Sequence, residues 1–134
     1  MSRLGNFEFE DLKNFQKKLD KLTEKAPAFL EACIKELAGQ LLDKAVAKTP
    51  VSSGLLRRSW KLGPVVSTST GVQIEIMNPT EYASDVEYGY WAENHTRRVE
   101  GRFMLKISIQ ELEHEMPSIL ERRLEEFMRK HLRW

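Results

Sequence analysis

The sequence predicts an α+β fold: a small, mainly antiparallel β-sheet packed against two long helices, with an additional helix at the N-terminus. Apolar residues recur at helical spacing over 27–48 and again over 103–128, and a strictly alternating run at 72–77 follows a shorter strand-like segment. Between the strand-like runs, Thr68-Ser69-Thr70-Gly71 has the chemistry of a hairpin loop. With 134 residues, 41% of them hydrophobic and 31% charged, the chain is expected to form one domain, 1–134, around one core. No apolar run approaches the ~18–20 residues that a membrane span needs, so no membrane contact is expected. The first residues lack the apolar centre of a secretory signal, and the chain is expected to stay in the compartment where it is made.

From Phe9 onward Leu12, Phe15, Leu19 and Leu22 recur at steps of three and four, the stripe of an amphipathic helix over 9–24. A second helix is expected to open near Pro27, where proline suits the first turn, and to end at Thr49-Pro50, because the residue before a proline is pushed out of the α region. Ala38 and Gly39 inside it either mark close backbone packing or include a tolerated glycine costing about 1 kcal/mol. The breakers at 49–54 read as a loop, with Ser52 or Ser53 placed to cap a short helical turn over 55–60.

Segments 60–68 and 72–77 read as antiparallel neighbours, with Pro64 at an edge or outside the ladder. Residues 81–88 resemble a short helix closed by Gly89 as a left-handed cap. The stretch 90–101 has no sustained period and reads as a long loop, or a loop leading into a short strand. A last helix follows Phe103, with Pro117 expected to kink or restart it.

The search for chemistry finds no catalytic set, no metal framework and no cofactor motif. The one cysteine, Cys33, cannot form an intrachain disulfide and reads as a small apolar side chain. His95, His114 and His131 are scattered, and the dense acids Glu111, Glu113 and Glu115 point in different directions on a helix, which reads as a solvated face. Ser52-Ser53-Gly54 beside Arg57-Arg58 has the residue types of an anion site, but capping explains the serines more simply.

Charge is patterned although the net is only +1. Between Lys44 and Ile74 stand five basic residues and no acid, whereas Glu75 to Glu100 holds six acids. Opposed segments of this kind either meet their complements on neighbouring copies or neutralise each other within one chain. Tyr90, Trp91, Arg97 and Arg98 belong to the residue types enriched in interface hot spots, whereas Tyr82 is assigned to the core. The expected interface set is therefore Arg57, Arg58, Glu81, Asp85, Glu87, Tyr90, Trp91, Arg97 and Arg98. The competing class is a small nucleic-acid-binding or regulatory module using the four arginines, against which the near-neutral charge weighs.

The blocks AKTPVSSGLLRRSW (47–60), YASDVEYGYW (82–91) and GRFML (101–105), in this order between helices, resemble the gene-product-ten-like neck or tail-completion family of long-tailed bacteriophages and prophages. Pro50, Ser53, Gly54, Leu55, Arg57 or Arg58, and Ser59 match its first motif. Tyr82, Ala83, Val86, Glu87 and Gly89 match the second, and Arg102, Phe103 and Leu105 the third, over about 26–130. Tyr90 stands where threonine is usual, and the proline of the third block is missing. The resemblance implies a non-enzymatic virion protein, made in the bacterial cytoplasm. It would assemble as a homo-oligomeric ring between head connector and tail tube or tail terminator. Six-fold symmetry is the first expectation and twelve-fold the second, with non-specific DNA contact in the lumen.

Overall fold

The computed structural model describes residues 5–8, 25–69 and 71–131, with 5–8 and 131 described as backbone only. The expected helix over 9–24 lies outside the described residues. Helix α1 spans Ala26–Lys48 and buries Leu30, Cys33, Ile34, Leu37, Leu41 and Ala45 along one stripe. Pro27 sits in its first turn, and the helix ends at Thr49, whose extended backbone (φ −74°, ψ 134°) is the conformation that Pro50 imposes. A Cβ added at Gly39 would meet nothing within 4 Å, so Gly39 is a tolerated glycine rather than a site of close packing.

A five-residue helix, α2 (Gly54–Arg58), follows, and its Leu56 enters the core. Ser53 occupies the cap position without making a side-chain cap bond, contrary to the expectation from the serine pair. Its Oγ instead lies 3.3 Å from the Tyr82 hydroxyl. Two buried polar links fix this region. Thr49 Oγ1 donates to Ala45 O (2.8 Å) and accepts the Trp60 indole N–H (2.8 Å). Asn78 Nδ2 donates to Leu56 O (2.8 Å), while its Oδ1 accepts the Thr80 N–H (3.1 Å).

The sheet is organised on one central strand. Strand β1 (Gly5–Glu8) pairs antiparallel with β4 (Gly71–Met77) on one side, and β2 (Lys61–Leu62) and β3 (Val66–Thr68) pair with it in succession on the other. Leu62 stands opposite Ile76 and Val66 opposite Gln73, so three residues, 63–65, face two on β4. Pro64 thus falls in a bulge, where its missing N–H costs no ladder bond. The alternation expected for β4 holds: Val72, Ile74 and Ile76 are buried against α1, and Gln73 and Glu75 are not. Strand β1 was not expected, because the helical spacing that begins at Phe9 overrides the short Phe7-Glu8-Phe9-Glu10 alternation.

Helix α3 (Ala83–Tyr88) leads into a separate two-stranded sheet, β5 (Gly89–Ala92) and β6 (Arg97–Glu100). Helix α4 (Met104–His131) then crosses α1, burying Met104, Leu105, Leu112, Met116, Leu120 and Phe127. It runs through Pro117 without restarting. Phe29 and Phe127 close the far end, ring centroids 4.5 Å apart.

Ion pairs tie the two long helices in antiparallel register: Glu36 with Arg122 and Arg123, Lys44 with Glu115 (2.9 Å), and Lys48 with Glu111 (2.7 Å). The hydrogen bond to Glu115 raises the Lys44 ammonium above its ordinary pKa, and the one from Lys48 lowers Glu111. The acids expected on a solvated face thus partly serve the helix contact.

Candidate assembly interface

The segment 81–105 brings the second and third sequence blocks together through one carboxylate. Glu87, on the last turn of α3, is 1% exposed, and its two oxygens accept the N–H groups of Leu105 (2.9 Å) and Lys106 (3.0 Å). A helix leaves its first N–H groups without intrahelical partners, and an anion there also meets the positive end of the helix dipole. No Ser, Thr, Asp or Asn stands at 101–103 to do this locally, so α4 is capped from 18 residues upstream. Expected at a subunit contact, Glu87 is instead an internal cap, withdrawn from the surface because both its oxygens are consumed by backbone donors.

Backbone bonds repeat the connection. Arg102 N–H donates to Val86 O (2.7 Å) and Phe103 N–H to Glu87 O (3.0 Å), with Phe103 held at φ +49°. Two glycines make the approach possible. Gly89 has φ +84°, and a Cβ there would lie under 3.0 Å from Val99 O and Gly101 N; one at Gly101 would overlap Glu87 O and the Tyr88 backbone. With ψ at 174°, Gly89 does not form the expected left-handed cap: it turns the chain from α3 into β5. Only glycine tolerates that combination in such confined space.

On this mount stands a hairpin. The stretch 90–101, expected as a loop with at most a short strand, is two paired strands, with Tyr90 opposite Val99 and Trp91 opposite Arg98. No residue from 88 to 100 is buried. Trp91 is 55% and Tyr90 42% exposed. The Arg98 guanidinium lies 5.8 Å from the centre of the Trp91 ring and donates to Tyr88 O (2.9 Å), so the pair is ordered on one face. At the tip Arg97 meets Glu93 at 3.3 Å, and Glu93, Asn94 and His95 all have positive φ. An isolated two-stranded hairpin is marginal in water. This one is held by its base and displays its aromatics.

A second feature lies at the opposite end of α3. Asn78 draws the end of β4 toward α2, and a groove of about 370 Å³ opens between them, lined by Leu55, Ser59, Pro79, Thr80, Glu81 and Tyr82. Leu55 is 50% exposed, and Tyr82, assigned to the core from the sequence, is 38% exposed. Its ring stays out because its hydroxyl meets Ser53 rather than a core partner. Glu81 and Asp85 are both exposed.

Arg58 is exposed and Arg57 half-buried on α2. Among the described residues no ion pair joins the basic stretch 44–61 to the acids of 81–100: Lys44 and Lys48 turn to α4, and Arg97 turns to Glu93. Nor do the described residues contain a group of three His, Cys, Asp or Glu able to hold a metal, or a helix long and apolar enough to cross a membrane.

The family model described as "Bacteriophage HK97-gp10, putative tail-component" matches residues 13–89, more than half of the chain. The chain belongs to the HK97-gp10-like family. Its role is accordingly that of a structural phage tail component, and the match covers the first sequence block that carries the resemblance and the second as far as Gly89. In this HK97-gp10-like chain the hairpin and α4 lie beyond the matched segment, which ends at the turn residue Gly89. Neither a curated protein nor a solved structure matches the chain.

Proposed function

We propose that this tail component is a tail-completion or head-to-tail joining protein that works by assembling with copies of itself into a ring around the DNA channel. The observation that carries the proposal is the β5–β6 hairpin: a rigidly mounted element with no core of its own, presenting Tyr90, Trp91, Arg97 and Arg98. Those residue types combine large buried area with directed polar contacts, as interface hot spots do. Arg57, Arg58, Glu81 and Asp85 form no ion pair with one another among the described residues, which leaves both signs of charge for contacts that fix orientation between copies. The ring faces would meet the head connector and the tail tube or tail terminator, with a hexamer expected first. Genomic DNA in the lumen would be touched only non-specifically, in keeping with a net charge of +1.

Electron microscopy and mass photometry of the purified chain test the proposal. Closed rings are expected, and Arg57→Glu with Arg58→Glu should abolish them while leaving the circular dichroism spectrum intact. A chain that stays monomeric at high concentration and in the presence of tail tubes, or virions that assemble normally with both reversals, would overturn it.

A further inference from the structure

We infer that the contact between copies is a hairpin-in-groove joint: Trp91 of one copy enters the groove lined by Leu55, Pro79, Thr80 and Tyr82 of the next, and Arg98 meets Glu81 at its rim. The inference rests on the self-assembly proposed above and specifies its two surfaces.

Both halves of the joint are exposed in the single chain. Trp91 shows 55% of its surface, while the groove keeps Leu55 half exposed and Tyr82 more than a third. The intact chain does not close one on the other, since Trp91 is no part of the groove lining. The hairpin base is fixed: the Glu87 carboxylate accepts the N–H groups of Leu105 and Lys106, and Gly89 and Gly101 lie in close backbone contact. A second copy can satisfy both.

Charge selects the occupant. The one charged residue lining the groove is Glu81. On the hairpin, Arg98 shares a face with Trp91, because Trp91 and Arg98 are directly opposed across the ladder. The one acid on that face, Glu100, pairs with Gly89 at the hairpin base, away from the indole. Arg98 uses one of its five N–H donors on Tyr88 O, leaving the rest of the fork for a carboxylate. An aromatic flanked by a guanidinium therefore faces an apolar slot flanked by a carboxylate. The two patches differ, so the joint is heterologous. Such a contact propagates from copy to copy and closes into a ring when its rotation allows.

The test is a mixing experiment on the full chain, read by mass photometry. Trp91→Ala removes the hairpin's anchor, and Leu55→Glu with Tyr82→Ser spoils the groove. Each variant alone is expected to weaken self-association by ~30-fold or more, the scale of an interface hot spot. Mixed together, they retain one good hairpin and one good groove between them, so heterodimers and nothing larger are expected. Glu81→Arg and Arg98→Glu should each dissociate the assembly, and the double reversal should restore it.

Rings that persist in Trp91→Ala and in the groove variant would overturn the joint and leave self-assembly standing. Loss of tail-tube binding with rings intact would assign the hairpin to a different partner and likewise overturn it. A wild-type chain that never self-associates would overturn both.

Discussion

Replacing Glu87 tests whether the fold is assembled through one buried carboxylate. A hydrogen bond to a charged group contributes about 1.5–3 kcal/mol. Glu87 makes two of them, at 2.9 and 3.0 Å, to the first turn of α4. Glu87→Ala leaves the N–H of buried Leu105 without an acceptor, removes the anion from the helix N-terminus and opens a cavity. These effects overlap, so the expected loss is ~3 kcal/mol or somewhat more rather than their sum. Glu87→Gln keeps the shape and one acceptor oxygen but turns an amide donor toward a backbone donor, and is expected to lose roughly half as much.

For a chain of this length, ~3 kcal/mol corresponds to a fall in Tm of roughly 10 °C. Urea unfolding at one fixed protein concentration for every variant supplies the first readout. Hydrogen exchange at Leu105 and Lys106 supplies the second, because a cap lost locally exposes those two amides before it unfolds the sheet. A Glu87→Ala protein within 1 kcal/mol of its parent, or one more stable than Glu87→Gln, would refute the capping role.

Gly89→Ala combines a positive φ with a Cβ under 3.0 Å from Val99 O, and should cost about 2 kcal/mol or more while accelerating exchange across 89–100. Gly39→Ala is the opposite case: with nothing near the added methyl, it should raise stability by up to ~1 kcal/mol in the same unfolding assay. Trp60→Phe strips the donor from Thr49 Oγ1, with an expected loss of about 1–2 kcal/mol, and a double-mutant cycle with Thr49→Val should recover part of it as coupling. Burial pushes the Cys33 thiol up to about 11 from 9.0, so at pH 8 it should resist thiol reagents until the chain unfolds. The folded state then holds its proton longer than the unfolded one. Its contribution is complete below pH 9 and is lost as pH rises toward 11, visible as a steeper alkaline fall in stability than a Cys33→Ala chain shows.

Legibility followed how strongly each segment's apolar pattern is written. The stripe through Leu30, Ile34, Leu37 and Leu41 and the alternation of Val72, Ile74 and Ile76 each have one buried face, so period and burial coincide and the elements appear where the pattern puts them. Polar signals were harder to assign. Ser53 has the residue type and position of a cap yet bonds sideways toward Tyr82, while Glu87, read as a surface acid, is the cap of a helix that starts far from it in sequence. The readable clue was an absence: a strong helical pattern from 104 with no capping residue before it. A helix end that lacks its own acceptor must receive one from elsewhere in the fold, and a glutamate two residues before a glycine bend is a candidate source of that acceptor.

The hairpin failed to announce itself for a related reason. A strand declares itself by alternation only when one of its faces is buried against the rest of its own chain. Neither face of β5–β6 is: Tyr90, Arg97 and Val99 occupy one side, Trp91, Arg98 and Glu100 the other, and both remain in solvent. Its sequence therefore resembles a loop with too many aromatics. Such a ladder has little to hold it together apart from its base and its cross-strand pairs. Large aromatics and arginines on an element that does no packing would be a solubility liability if they stayed uncovered. They are consistent with a surface completed by another polypeptide, and that is why the mixing experiment, more than any single substitution in the core, bears on what this tail component does.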